Sequence, residues 1–134
     1  VAVVLDSAAV VGFLDRQDAL HDAADAAIRE LVRGNRLLAS VVTYAEVLTG
    51  ARLGHHDEDD VAGFFAALLS AVLPVDVAVA DNAADLRSRF KSLRMPDALI
   101  LATAEMDPDV DLIVTGDLQL TKVSGLRVGV RLLG

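Results

Sequence analysis

Short apolar runs and longer stretches of helical spacing take turns along this chain. Ala2 to Leu5 is an apolar run that stops at Asp6 and reads as a buried strand. Ser7 to about Phe13 reads as a short helix. Asp18 to Val32 has helical spacing, with Leu20, Ala24, Ala27, Ile28 and Leu31 on one face and Gly34-Asn35 as its stop. Arg36 to Ala39 is a second short strand, after which Ser40 or Thr43 can cap a helix reaching about Leu53. Asp57 to Val72 reads as a strongly apolar helix, Leu73 to Asp76 as a brief strand, and Val79 to Leu93 as an amphipathic helix. Pro96 suits the first turn of a helix over Asp97 to Met106. Asp111 to Thr115 and Leu126 to Leu132 are the last two predicted strands.

Strands that alternate with helices of ten or more residues predict an α/β fold, a parallel sheet covered by helices on both faces. No linker, repeat or low-complexity tract interrupts residues 1–134, so the expectation is a single domain. In such sheets, sites form beyond the carboxyl ends of the strands. That rule gives a linear scatter of acids a place in space.

Four acids fall where the rule applies. Asp6 follows the first strand in Val-Val-Leu-Asp-Ser; an ordinary N-cap explains it equally well. Asp117 follows Leu112-Ile113-Val114-Thr115 and Gly116, where a turn residue is common. Asp97 opens an apolar helix, a position the helix dipole favours. Glu46 lies three residues after Thr43, so the two match a capping box, while apolar flanks Ala45, Val47 and Leu48 suggest partial burial. Each acid alone has a structural explanation. Together, two end strands and two lie early in helices, so a parallel sheet can gather all four in one cleft. Carboxylates gathered in this way must protonate or bind cations. Oxygen-only donors suit Mg²⁺ or Mn²⁺ rather than zinc. Two such ions about 4 Å apart suit phosphodiester cleavage.

These residues carry a resemblance. Val4-Leu5-Asp6-Ser7, Glu46 after the second strand, Pro96-Asp97-Ala98-Leu99-Ile100 and Thr115-Gly116-Asp117 resemble the four acidic signatures of PIN domains. Their order, their spacing and the chain length are similar to bacterial VapC toxins over essentially the whole chain. The resemblance implies a three-layer α/β/α fold around a mainly parallel sheet. It implies a Mg²⁺- or Mn²⁺-dependent endoribonuclease in which Asp6, Glu46, Asp97 and Asp117 hold the metal directly or through water. By the same resemblance Thr115 supports the last acid and Ser7 is the hydroxyl beside the first. The implied partners are an RNA substrate, a VapB-type antitoxin and a second copy of the toxin.

Composition both supports and resists this reading. Hydrophobic residues make up 54% of the 134, yet no run approaches the roughly 20 apolar residues of a membrane span. No basic-then-apolar leader opens the sequence, which leaves a soluble cytoplasmic protein as the expectation. The absence of cysteine excludes disulfides and thiolate metal sites. The net charge of −8 is unfavourable for a binder of polyanions. Two divalent ions would offset four of those charges. A local basic patch is also needed, and Arg87, Lys91 and Arg94, at i, i+4 and i+7, are expected to share one helix face beside Asp97. The competing explanation is a solvated face with salt bridges such as Asp85 to Arg89.

Other signals carry less. Asp107, Asp109 and Asp111 begin like a calcium loop but lack its glycine and its final glutamate. Adjacent His55 and His56 have no third zinc ligand nearby. Val61 to Leu73 leaves little polar surface and reads as a helix covered by a partner. Two rivals remain: another Mg²⁺-dependent phosphoryl-transfer protein, and a PIN-fold module that binds without catalysis. The first lacks paired acids after the first strand and an Asp-x-Asp motif, since position 8 is Ala.

Overall fold

A computed structural model describes all residues, 1–134. Five strands form one sheet: β1 (Ala2–Leu5), β2 (Arg36–Ser40), β3 (Ala71–Leu73), β4 (Val110–Thr115) and β5 (Gly129–Leu132). Every neighbouring pair is parallel and the spatial order is β3-β2-β1-β4-β5. Parallel neighbours need crossovers, which six helices supply. These are α1 (Ser7–Leu14), α2 (His21–Leu31), α3 (Val41–Arg52), α4 (Glu58–Ala67), α5 (Val77–Arg89) and α6 (Met95–Met106). A 3-10 helix at Leu118–Lys122 lies between β4 and β5.

The side-chain period of a strand explains the three layers. Along β1, Ala2 and Val4 enter one core with Leu86 of α5 and Leu101 of α6, while Val3 and Leu5 enter another with Ile28 of α2 and Phe64 of α4. All four β1 residues are buried, as expected of a central parallel strand covered on both faces. The chain leaves β1 towards β2 and β3, then returns to lay β4 and β5 on the other side. The order therefore reverses between β1 and β4, and the crevice beyond their carboxyl ends is the place for a site.

The expected fold class holds, and the sheet is wholly parallel. Several boundaries differ for identifiable reasons. The apolar stretch from Asp57 to Val72 is two elements: α4 ends at Ala67, and Ala71–Leu73 pairs with Leu38–Ser40 as β3. Val61 to Leu73 is therefore no single helix apolar all round; Val61, Phe64 and Leu69 face the core. The helix expected over Val79 to Leu93 runs from Val77 to Arg89, and Phe90 leaves helical geometry at φ −123°, ψ 85°. Arg87, Lys91 and Arg94 consequently do not share a helix face. Arg87 Nη1 donates to the Lys91 carbonyl at 2.9 Å across the turn, and Arg94 is the N-cap of α6.

Candidate active site

Each of the four acids is placed by the element that carries it. Asp6 follows β1, its amide donating to the Val114 carbonyl at 3.0 Å as the sheet ends. It is also the N-cap of α1, Oδ1 accepting the Ala9 amide at 2.8 Å. The structural and functional explanations of this residue therefore coexist. Its other oxygen, Oδ2, accepts the Thr115 hydroxyl at 2.5 Å. Thr115, buried at the end of β4, also accepts the Asp117 amide at 2.9 Å through the same Oγ1. One hydroxyl thus ties the first acid to the loop bearing the last. Gly116 lets these segments meet: a Cβ there would lie 2.8 Å from the Ala8 Cβ and 2.6 Å from Leu20.

Glu46 arrives from the opposite flank on α3. Ser40, not Thr43, caps that helix, accepting the Val42 amide at 3.1 Å, so Thr43 and Glu46 form no capping box. Thr43 is buried inside the helix, and Glu46 is exposed rather than partly buried. The Ser7 hydroxyl donates to Glu46 Oε1 at 2.5 Å and reaches Thr43 Oγ1 at 3.4 Å. Asp97 stands in the first turn of α6, half-buried, with Arg94 Nε 3.3 Å from its Oδ2. Asp117 caps the 3-10 helix, accepting the Gln119 amide at 2.9 Å.

Electrostatics link the four. Burial pushes the Asp6 carboxyl up to about 6, although Thr115 and the Ala9 and Gly116 amides pull it down and Asp97 adds a small upward push. Burial also raises Asp97; Arg94 opposes that, while Asp117 and Glu46 reinforce it. The carboxylates that sequence separates by 111 positions are close enough in space to feel one another's charge. Even so, no three acidic or histidine side chains converge tightly enough to grip one ion as they stand. The donor set still fits a hard divalent cation. Its members are all carboxylates, and Asp6 is desolvated with only neutral donors around it.

The surface depressions lie elsewhere. A groove of about 670 Å³ runs between α1, α2 and α4 past Phe13, His21 and Phe64, and one of about 280 Å³ lies beside Val79 and Met106. None is lined by the four acids, of which Asp6 is buried, Asp97 and Asp117 are half-buried and Glu46 is exposed. Of the other residues singled out from sequence, Ser7 and Thr115 join the cluster directly. Arg94 joins it through Asp97, whereas Arg87 and Lys91 touch none of the acids. The expected Asp85–Arg89 pair forms at 3.1 Å. Sequence reasoning missed Gln119 and Gly116; the Thr-Gly-Asp turn that ends β4 was the available signal for both.

Comparison with known proteins places these features in a family. Residues 3–126 match the PIN domain family. No curated protein matches the chain by sequence. Among solved structures, the chain is similar to VapBC2 from Rickettsia felis bound to a promoter DNA fragment, at 14% identity and TM-score 0.78 over 100% of both chains. It is similar to FitAcB from Neisseria gonorrhoeae, at 23% identity and TM-score 0.71 over 96% of each chain. It is also similar to a Mycobacterium tuberculosis VapBC family member, VapBC-5, at 25% identity and TM-score 0.61 over 98% of each.

Proposed function

The chain belongs to the PIN domain family, and from that premise we propose that it is a metal-dependent endoribonuclease of the VapC kind, the toxin of a type II toxin–antitoxin system. The reading treats residues 1–134 as one catalytic domain. The observation that carries it is Asp6: a buried carboxylate with neutral donors only, at the reversal point of a parallel sheet, beside three further acids. Such a group is tolerable at neutral pH when a cation joins it.

Asp6, Glu46, Asp97 and Asp117 would hold Mg²⁺ or Mn²⁺. The ion, when bound, supplies positive charge against the phosphate and acidity to water. The protein's own groups do the positioning. Thr115 and the Ala9 amide fix both Asp6 oxygens, and Ser7 fixes Glu46. The reaction is hydrolysis: an oxygen–phosphorus bond forms from water and one ester bond of the RNA backbone breaks. The acids line none of the surface depressions and Glu46 among them is exposed, which suits a polymer lying across the surface better than a small molecule enclosed in a pocket. Arg94 stands at the site to meet a phosphate, with Arg87 and Lys91 behind it on the preceding turn.

The proposed partners are a VapB-type antitoxin and a second copy of the chain, supported by similarity to proteins solved as VapBC and FitAB assemblies. No helix is long and apolar enough to cross a membrane, and the proposed place of action is the cytoplasm. A second reading, a PIN-fold module that binds without cutting, draws on the lack of any ready-made three-carboxylate cage.

Cleavage of total RNA in Mg²⁺ or Mn²⁺, against EDTA and against Asp6→Asn, separates the two. We expect metal-dependent cutting by the wild type and a loss of at least about 100-fold in the variant. Full activity in Asp6→Asn would remove the site assignment. No cutting, with no Mn²⁺ uptake by calorimetry, would leave the binding module.

A further inference from the structure

Each of the four carboxylates rests on a donor of its own. Asp6 has the Thr115 hydroxyl, Glu46 the Ser7 hydroxyl, Asp117 the Gln119 amide and Asp97 the Arg94 guanidinium. The first three donors are neutral and add no charge that opposes a cation, and those on Glu46 and Asp117 engage one carboxylate oxygen each. Arg94 is a full positive charge set 3.3 Å from an Asp97 oxygen.

Its position is hard to explain by folding. Arg94 is the N-cap of α6 and makes no capping hydrogen bond with its side chain. The N-terminal pole of a helix is already positive, so a cation there is disfavoured. The Arg94 side chain is 75% exposed and its single side-chain partner is Asp97, itself 17% exposed. A mostly solvated pair of this kind contributes little to stability. What Arg94 does supply is charge on Asp97: it opposes the upward push that burial, Asp117 and Glu46 exert on that carboxyl.

We propose that Arg94 is an internal counter-ion, which occupies Asp97 in the metal-free protein and competes with the divalent cation for it. The proposal rests on the metal-site reading above and deepens it. Two states follow. In one, Arg94 holds Asp97 through its Nε contact at 3.3 Å. In the other, the ion holds Asp97 and the arginine is free. Linkage makes the competition reciprocal: whatever the Arg94 contact contributes to the first state is subtracted from metal affinity.

The test is titration of Mn²⁺ alone into metal-free protein, without RNA, by calorimetry. Arg94→Gln is expected to bind Mn²⁺ about 10-fold more tightly than the wild type, an amount set by one direct ion pair in partial solvent. Lys91→Gln removes the same charge three residues away, from a side chain that touches no acid, and is expected to change affinity by less than about twofold. Arg94→Lys keeps the charge and is expected to stay near the wild type. Wild-type affinity or weaker binding in Arg94→Gln overturns the proposal and leaves the metal site standing. An equal gain in Lys91→Gln also overturns it, since the effect would then be general charge. If the wild type takes up no Mn²⁺ at all, the site reading and the proposal fall together.

Discussion

Helix α6 meets an arginine at each end, and the two could hardly be used more differently. At its carboxyl end Arg127 reaches in from the approach to β5. Nη2 donates to the carbonyls of Ala104, Glu105 and Asp107 at 3.1, 3.1 and 2.7 Å, and Nη1 donates to that of Val110 at 2.8 Å. The Glu105 carboxylate answers by accepting the amides of Arg127 and Val128. A cation here stands at the negative pole of the helix and donates to carbonyls of its last turn and beyond. At the amino end Arg94 faces the positive pole with a single exposed contact. Asp6, beside it, is ionisable and buried. One end of the helix is satisfied and the other is left in electrostatic debt. Unrelieved charge in one region of an otherwise consistent fold is the feature on which the proposed site rests.

Three measurements bear on this contrast. The largest effect is expected from Asp6. Its carboxyl titrates at about 6 in the folded chain against 3.8 as the ordinary value, so between those pH values the folded chain holds a proton that the unfolded chain releases. Stability from this group is therefore present below about pH 4 and lost as pH rises through 6. The loss is about 3 kcal/mol. Urea unfolding in EDTA of the wild type and Asp6→Asn should show the wild type losing that amount relative to the variant between pH 4 and 7. A pH-independent difference would remove the buried charge from the account. Next in size, Arg127→Met should cost about 2 kcal/mol in unfolding free energy, because several backbone acceptors lose a charged donor. Mn²⁺ affinity of the folded variant should be unchanged. The smallest effect is Arg94→Gln, within about 0.5 kcal/mol of the wild type in the same experiment. A loss as large as that of Arg127→Met would make the two ends alike.

Much of this layout was legible in the chain because the two strands at the reversal point, β1 and β4, are short apolar runs with an acid just beyond their ends. β1 stops at Leu5, where the sequence stops being apolar, and Asp6 sits where the parallel-sheet rule puts it. What was not legible depends on contacts far apart in sequence. The strand expected over Leu73 to Asp76 lies two residues earlier, at Ala71–Leu73, because β2 offers an edge to pair with there and tertiary pairing overrode helical spacing. The basic ridge failed for the opposite reason. Local periodicity favoured a helix through Lys91, but Phe90 turns out of it and Leu93 is buried on the other side of the turn. Glu46 is exposed where its apolar flanks suggested partial burial, because, of those flanks, Val47 alone is buried while Ala45 is exposed with it. Arg127 gave no signal at all, because its carbonyl partners lie about a helix and a loop upstream and no local pattern encodes them.

The bond between Asp6 and Thr115 joins residues 109 positions apart, and β1 acquires its β4 neighbour only through that same late segment. A ribosome making this chain releases Asp6 and, 109 residues later, Thr115, the hydroxyl that fixes it. Long-range pairing of this kind forms late, after the entropy of closing a large loop has been met. A nascent chain therefore has no assembled acidic centre. The acidic centre is thus a product of the closed sheet, and a chain whose β4 has not docked on β1 lacks it.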